Sequence, residues 1–130
     1  MRTHDELVQS VITMAEELGY TTMTYTSGIT GELCGRFWKG AEIYGVFPDT
    51  LTNGIRIFFQ YKPNASCGAS CSCGPYKMPE KTDDSLLFDI PDAATLAAYL
   101  ENGRSFAKAM GAKLYNEQET AEYVKKQFGA

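Results

Sequence analysis

Three thiols fall within seven residues of this chain, in the pattern Cys67-x-x-x-Cys71-x-Cys73, and a fourth, Cys34, stands well upstream. Four thiolates converging at about 2.3 Å complete a tetrahedral zinc site. Gly68 and Gly74 leave the backbone free to wrap closely round an ion. On this basis Cys34, Cys67, Cys71 and Cys73 are the candidate metal ligands, and zinc is the candidate cofactor. The spacing is not the two CxxC pairs of common zinc modules, and it matches no iron–sulfur pattern. A Cys-x-Cys pair in extended chain points its side chains to opposite sides, so both reach one ion only where the backbone turns. A disulfide within the loop, and thiols that bind nothing, therefore stay open beside zinc. In those two cases no cofactor is called for.

A second constellation lies between Leu33 and Lys62, where residues alternate with a period of two. Leu33, Phe37, Ile43, Phe47, Ile55, Ile57 and Phe59 are expected on one face, towards the helices. The reverse face then carries Arg36, Trp38, Tyr44, Val46, Arg56, Phe58 and Gln60. Arginine and aromatic side chains dominate binding hot spots, because they bury large areas and keep polar handles. Arg36, Trp38, Tyr44, Arg56 and Phe58 are accordingly the candidate binding residues. A protein partner or a second copy of the chain would cover such a patch. Alternatively, the rings would stack on a small nucleotide, with the arginines on its phosphates. A helix of the same chain, or the cysteine loop, laid over this face would turn Trp38 into core instead.

Catalytic groups are sparse. The only histidine is His4, and the motifs GxSxG, HExxH and the Walker loop are absent. The acidic pairs Asp5-Glu6, Glu16-Glu17 and Asp83-Asp84 are adjacent residues whose side chains diverge on a helix or strand. No nucleophile, base and orienting group assemble, so no catalytic residue is assigned and a non-enzymatic role is expected.

These side chains need elements to hold them. Thr3-His4-Asp5-Glu6 is a capping-box pattern, and Leu7, Val8, Val11, Ile12, Ala15 and Leu18 follow at helical spacing up to Gly19. The pattern predicts a helix over about residues 4–18. Residues 20–26 are β-branched and aromatic, hence a strand. Strands at 33–38, 41–47 and 55–62 follow, the first two joined by a tight hairpin at Lys39-Gly40. Residues 63–84 crowd turn-formers and cysteines into a long loop. Ser85–Ile90 is expected to add a fifth strand. Asp92 caps a single long helix kinked near Asn102-Gly103 and closed by Gly111, and Asn116 and Glu119 cap a last helix to about Phe128.

The expected fold class is α+β over residues 1–130 as one domain. It is an antiparallel four- to five-stranded meander, with the N-terminal helix and two C-terminal helices packed on one face. At 130 residues the chain buries enough surface to fold without staples. The net charge of −4, with no basic block, argues against long nucleic acid as a partner. No charged leader precedes an apolar run, and no apolar stretch reaches the length of a membrane span, so a cytoplasmic, membrane-free protein is expected. The expected function is a small binding module acting on a protein partner. An inhibitor or accessory role fits, including the kind mobile elements deploy against host systems.

Overall fold

The computed structural model describes residues 3–49, 54–62, 76–77, 90–109 and 111–129. Helix α1 spans His4–Glu17, and strands β1 to β5 span Thr21–Thr26, Leu33–Lys39, Glu42–Pro48, Ile55–Phe59 and Tyr76–Lys77. Helices α2 and α3 span Ala93–Ala109 and Glu117–Phe128.

Local chemistry sets most of these boundaries. The Thr3 hydroxyl accepts from the Glu6 N–H at 3.2 Å, so α1 begins where its capping pattern places it. At the other end the Gly19 N–H donates to the Glu16 carbonyl and the Tyr20 N–H to the Ala15 carbonyl, both at 3.0 Å. This double closure needs the left-handed backbone that Gly19 adopts, with φ of 90°. Asp92 Oδ1 accepts from the Thr95 N–H at 2.7 Å and opens α2. A reciprocal capping box between Asn116 and Glu119 opens α3.

The five strands form one antiparallel sheet in the order β1-β2-β3-β4-β5, a meander as the tight connections imply. The fifth strand is Tyr76–Lys77, paired with Phe58 and Phe59, inside a stretch the sequence reads as loop. Residues 85–89 of the expected fifth strand lie outside the described residues, and Ile90 is buried in non-strand backbone.

The face assignment of β3 is opposite to expectation. Gly40 and Ala41 form a two-residue turn, with Lys39 opposite Glu42. Directly opposed residues share a face. In this hairpin the numbers of opposed residues sum to 81, so odd residues of β2 match even residues of β3. Phe37 therefore lies beside Tyr44, and Gly35 beside Val46. Tyr44 and Val46 join Phe37, Ile55, Ile57 and Phe59 in the core, while Ile43 and Phe47 fall on the reverse face.

Helix α1 lies across the core face, chiefly over β2, with Leu7, Val8, Val11, Ile12 and Ala15 buried. Helix α2 adds Leu96, Tyr99, Leu100 and Ala107 to the same cluster. The class is α+β with an antiparallel sheet packed against helices, but the helices do not all share one face. Helix α3 lies on the reverse side, where the Phe128 ring sits 5.5 Å from the Trp38 ring. Trp38 and Ile43 present apolar surface there, and the stripe Thr120, Val124, Phe128 at four-residue spacing supplies the cover.

The close approach of α1 to β2 rests on Gly35. A Cβ at that position would stand 2.6 Å from Ile12 Cδ1 and 3.0 Å from Val46 Cγ1. Ile12 is itself buried and has little room to yield. Gly35→Ala is expected to cost about 1–3 kcal/mol, read as a lower urea midpoint. At Gly45 the new Cβ meets the ring edge of the partly exposed Phe47 at 2.7 Å, and that ring can swing aside. Gly45→Ala is therefore expected to cost clearly less; equal losses would show that α1 does not press on β2.

Candidate binding face

Among the described residues, the reverse face has a half covered by α3 and a half that no helix covers, the open half. In the covered half, α3 is tied down by the Tyr123 hydroxyl donating to Gln60 Oε1 at 3.3 Å and by the Lys62–Glu119 ion pair at 2.5 Å. Lys62 beside Glu119 holds that carboxyl below the usual carboxylate range. Trp38 lies at the border, touching Phe128 and partly exposed.

The open half centres on Arg36. Its guanidinium carbon stands 4.8 Å from the Phe128 ring, 5.5 Å from the Tyr25 ring and 5.6 Å from the Phe47 ring. Three rings in reach of one cation attract it through the negative potential of their π faces. Phe47 meets Phe58 edge to face at 5.4 Å. Tyr25, Arg36, Phe47 and Phe58 are all partly exposed. Burial pushes the Tyr25 hydroxyl upward, with Arg36 pulling the other way, so it stays protonated and able to donate at neutral pH. Arg56 lies on the same face with its Nε 3.0 Å from Asp49 Oδ1.

Of the five candidate binding residues, four share this face: Arg36, Trp38, Arg56 and Phe58. Tyr44 does not. It is fully buried on the core face, stacked on Phe37 at 5.0 Å. Its hydroxyl donates to Glu42 Oε1 at 2.8 Å. Tyr20 donates to the same oxygen at 2.7 Å and Arg104 at 2.6 Å, and Arg104 also bonds the Tyr44 hydroxyl. Glu42 thus gathers two phenols and a guanidinium at the margin of the core and joins α2 to the sheet. No spacing in the sequence announces it, since Arg104 lies 62 residues from Glu42. Phe47 was also missed, for the reason of parity given above.

Cys34 is buried on β2, and its thiol donates a long bond to the Glu32 carbonyl at 3.9 Å. Burial pushes that thiol up, which disfavours the thiolate needed for metal binding or attack. Cys67, Cys71 and Cys73 lie outside the described residues. Among the described residues no group of three or more His, Cys, Asp or Glu side chains is placed to hold a metal ion. His4 is not simply solvent-facing. Its Nδ1 is 2.5 Å from Glu32 Oε2, while Asp5 Oδ1 accepts from the Leu33 N–H at 3.0 Å. The two contacts pin the start of α1 to the start of β2.

Among the described residues no helix is long and apolar enough to cross a membrane. No family model, curated protein or solved structure matches this chain.

Proposed function

We propose that this protein is a binding module that docks on a protein partner through the open half of the reverse face, formed by Tyr25, Arg36, Phe47 and Phe58. The observation that carries this is the partly exposed Arg36 set among three rings, with Phe58 adjoining. Aromatic rings bury large areas with few rotatable bonds, and an arginine among them adds directional donors. Such a cluster suits the centre of an interface, where a few anchors carry most of the affinity. A standard interface covers about 800 Å² on each partner, so the patch is its core and the surrounding polar surface its rim. A second copy of this chain is one such partner.

The nucleotide alternative has less support. Stacking on a base is open to these rings, but a phosphate needs cations turned towards it. Of the two arginines on this face Arg56 is engaged by Asp49, and a single remaining cation is a weak hold for a phosphate.

Phe58→Ala tests the proposal. Loss of a central aromatic anchor typically weakens binding by 2 kcal/mol or more, about 30-fold in Kd. Wild-type protein and the Phe58→Ala variant, each checked for its circular dichroism spectrum, would be immobilised and exposed to extract of the source cells. Quantitative mass spectrometry is expected to find a protein held by the wild type and by Gln9→Ala on the outer side of α1, and lost from Phe58→Ala. Sedimentation over a range of concentrations detects a second copy in the same way. Identical retention and identical sedimentation for all three proteins would remove this face as the docking site.

A further inference from the structure

We propose that the cleft between the β2–β3 turn and α3 receives the guanidinium of an arginine side chain from the protein partner. The inference rests on the partner being a protein, as above, and names the chemistry it brings. The cleft has a volume of about 490 Å³, inside the range of ligand pockets. Its lining combines the Trp38 indole, the Val124 side chain, the carboxylate-bearing Glu117, the hydroxyl-bearing Thr21 and Thr120, and the bare backbone of Gly40. Among the described residues no lysine or arginine lines it.

Each part matches one property of a guanidinium. Indole is the best side-chain surface for a cation, and a planar guanidinium stacks flat against it. A carboxylate accepts two parallel N–H bonds from arginine, which an ammonium cannot match. Glu117 is exposed at the start of α3, free of burial at the cleft mouth. Gly40 in the turn opposite has no side chain: a Cβ there would stand 3.6 Å from Glu117 Oε1, in the space between the two walls. Thr120 also lines the cleft; it is 2% exposed, and its hydroxyl oxygen, without a hydrogen-bond partner among the described residues, lies below the surface that an occupant touches.

Position and charge agree with this occupant. Phe128 touches both Trp38 at the cleft and Arg36 in the open patch, so a surface covering the patch extends to the cleft. The protein already sets one guanidinium on that ring. Its net charge of −4 favours encounter with a basic surface.

The chain has a single tryptophan, Trp38, so its fluorescence reports on the cleft directly. Acetyl-arginine amide would be titrated against the whole protein, with the lysine amide and the neutral citrulline amide in parallel. The expected result is a saturable change with arginine at millimolar concentration, weakened about tenfold or more by Glu117→Gln, and little response to citrulline. Glu117→Gln alters one exposed side chain and keeps its size, so it reads the charge without disturbing the fold. No saturable change below ~100 mM, or equal responses to arginine and citrulline, would overturn the assignment. An equal response to lysine would overturn its guanidinium character. The titration needs no partner, so its failure leaves the docking patch standing, and failure of the Phe58→Ala experiment leaves a measured arginine site in place.

Discussion

Above about pH 10 this protein is expected to lose stability at about 1.4 kcal/mol per pH unit for each of two tyrosines, Tyr20 and Tyr44. Tyr44 is fully buried and Tyr20 9% exposed. Burial is the first cause that raises both hydroxyls well above the usual tyrosine range, and the Glu42 carboxylate that both bond adds to it. Arg104 opposes the shift in each case but does not cancel it. The sign follows from proton counting. Above pH 10 the unfolded chain has released these protons while the folded protein still holds them. Unfolding then releases protons, and rising pH favours it. The stabilising effect is complete below the unfolded tyrosine pKa near 10 and drains away from there towards the raised folded values. The pair together contributes a slope of about 2.7 kcal/mol per pH unit, against a total stability of about 5–15 kcal/mol. Urea midpoints measured between pH 8 and pH 11.5 are expected to stay level and then fall sharply. In Tyr44→Phe the fall is expected to be shallower by about 1.4 kcal/mol per pH unit, after a loss of about 1 kcal/mol at neutral pH for the missing hydroxyl. A variant as steep as the wild type would show that Tyr44 does not hold its proton against the carboxylate.

Phe37→Ala is expected to remove about 3–5 kcal/mol, the largest loss for a single substitution considered. Phe37 has no exposed surface. Its ring stacks on Tyr44 at 5.0 Å and meets the Tyr20 ring edge-on at 5.3 Å. Truncation leaves a cavity between α1 and β2, and also releases the two phenols that Glu42 organises. The neighbouring residue provides the contrast. Trp38 points to the reverse face, is partly exposed, and has Phe128 against it. Trp38→Ala is expected to cost less, about 1–2 kcal/mol, because a half-covered ring has less area to lose. Urea unfolding with unchanged m-values measures both. A Phe37→Ala loss under about 1.5 kcal/mol would mean that the centre of the core lies elsewhere.

These two adjacent residues show how legible the sequence was. That Phe37 and Trp38 face opposite ways follows from the pleat and needs no structure. Which β3 residues accompany each was also within reach. A two-residue turn always sets odd-numbered residues against even-numbered ones, so a turn at Gly40-Ala41 assigns Tyr44 to Phe37. Hydrophobicity alone suggested Ile43 and Phe47 instead, because strand β3 is apolar on both sides. Strand β5 carries no such pattern. Two residues cannot show a period, and Tyr76–Lys77 is a strand only because the β4 edge offers it hydrogen bonds.

The candidate binding face was visible as a set of residue types and hidden as a surface. Arg36 and Phe58 could be placed on it from alternation. How much of it stays open depends on α3, whose capping box and apolar stripe are local, but whose choice of face is not. The cleft beside Trp38 was not visible at all. Thr120 and Glu117 lie some eighty residues from the tryptophan they stand beside, and neither is unusual in type.

The chain on its own determined its helices, the order of its first four strands and the antiparallel path between them. Caps, stops and turns act through hydrogen bonds spanning three to five residues, and alternation acts through the next residue but one. Only the folded protein decided that α1 and α2 take one face while α3 takes the other, that Glu42 meets Arg104, and that Trp38 is half covered. Each of those depends on which apolar surface remains uncovered once the sheet has formed, a property of the assembled layers that no short segment contains.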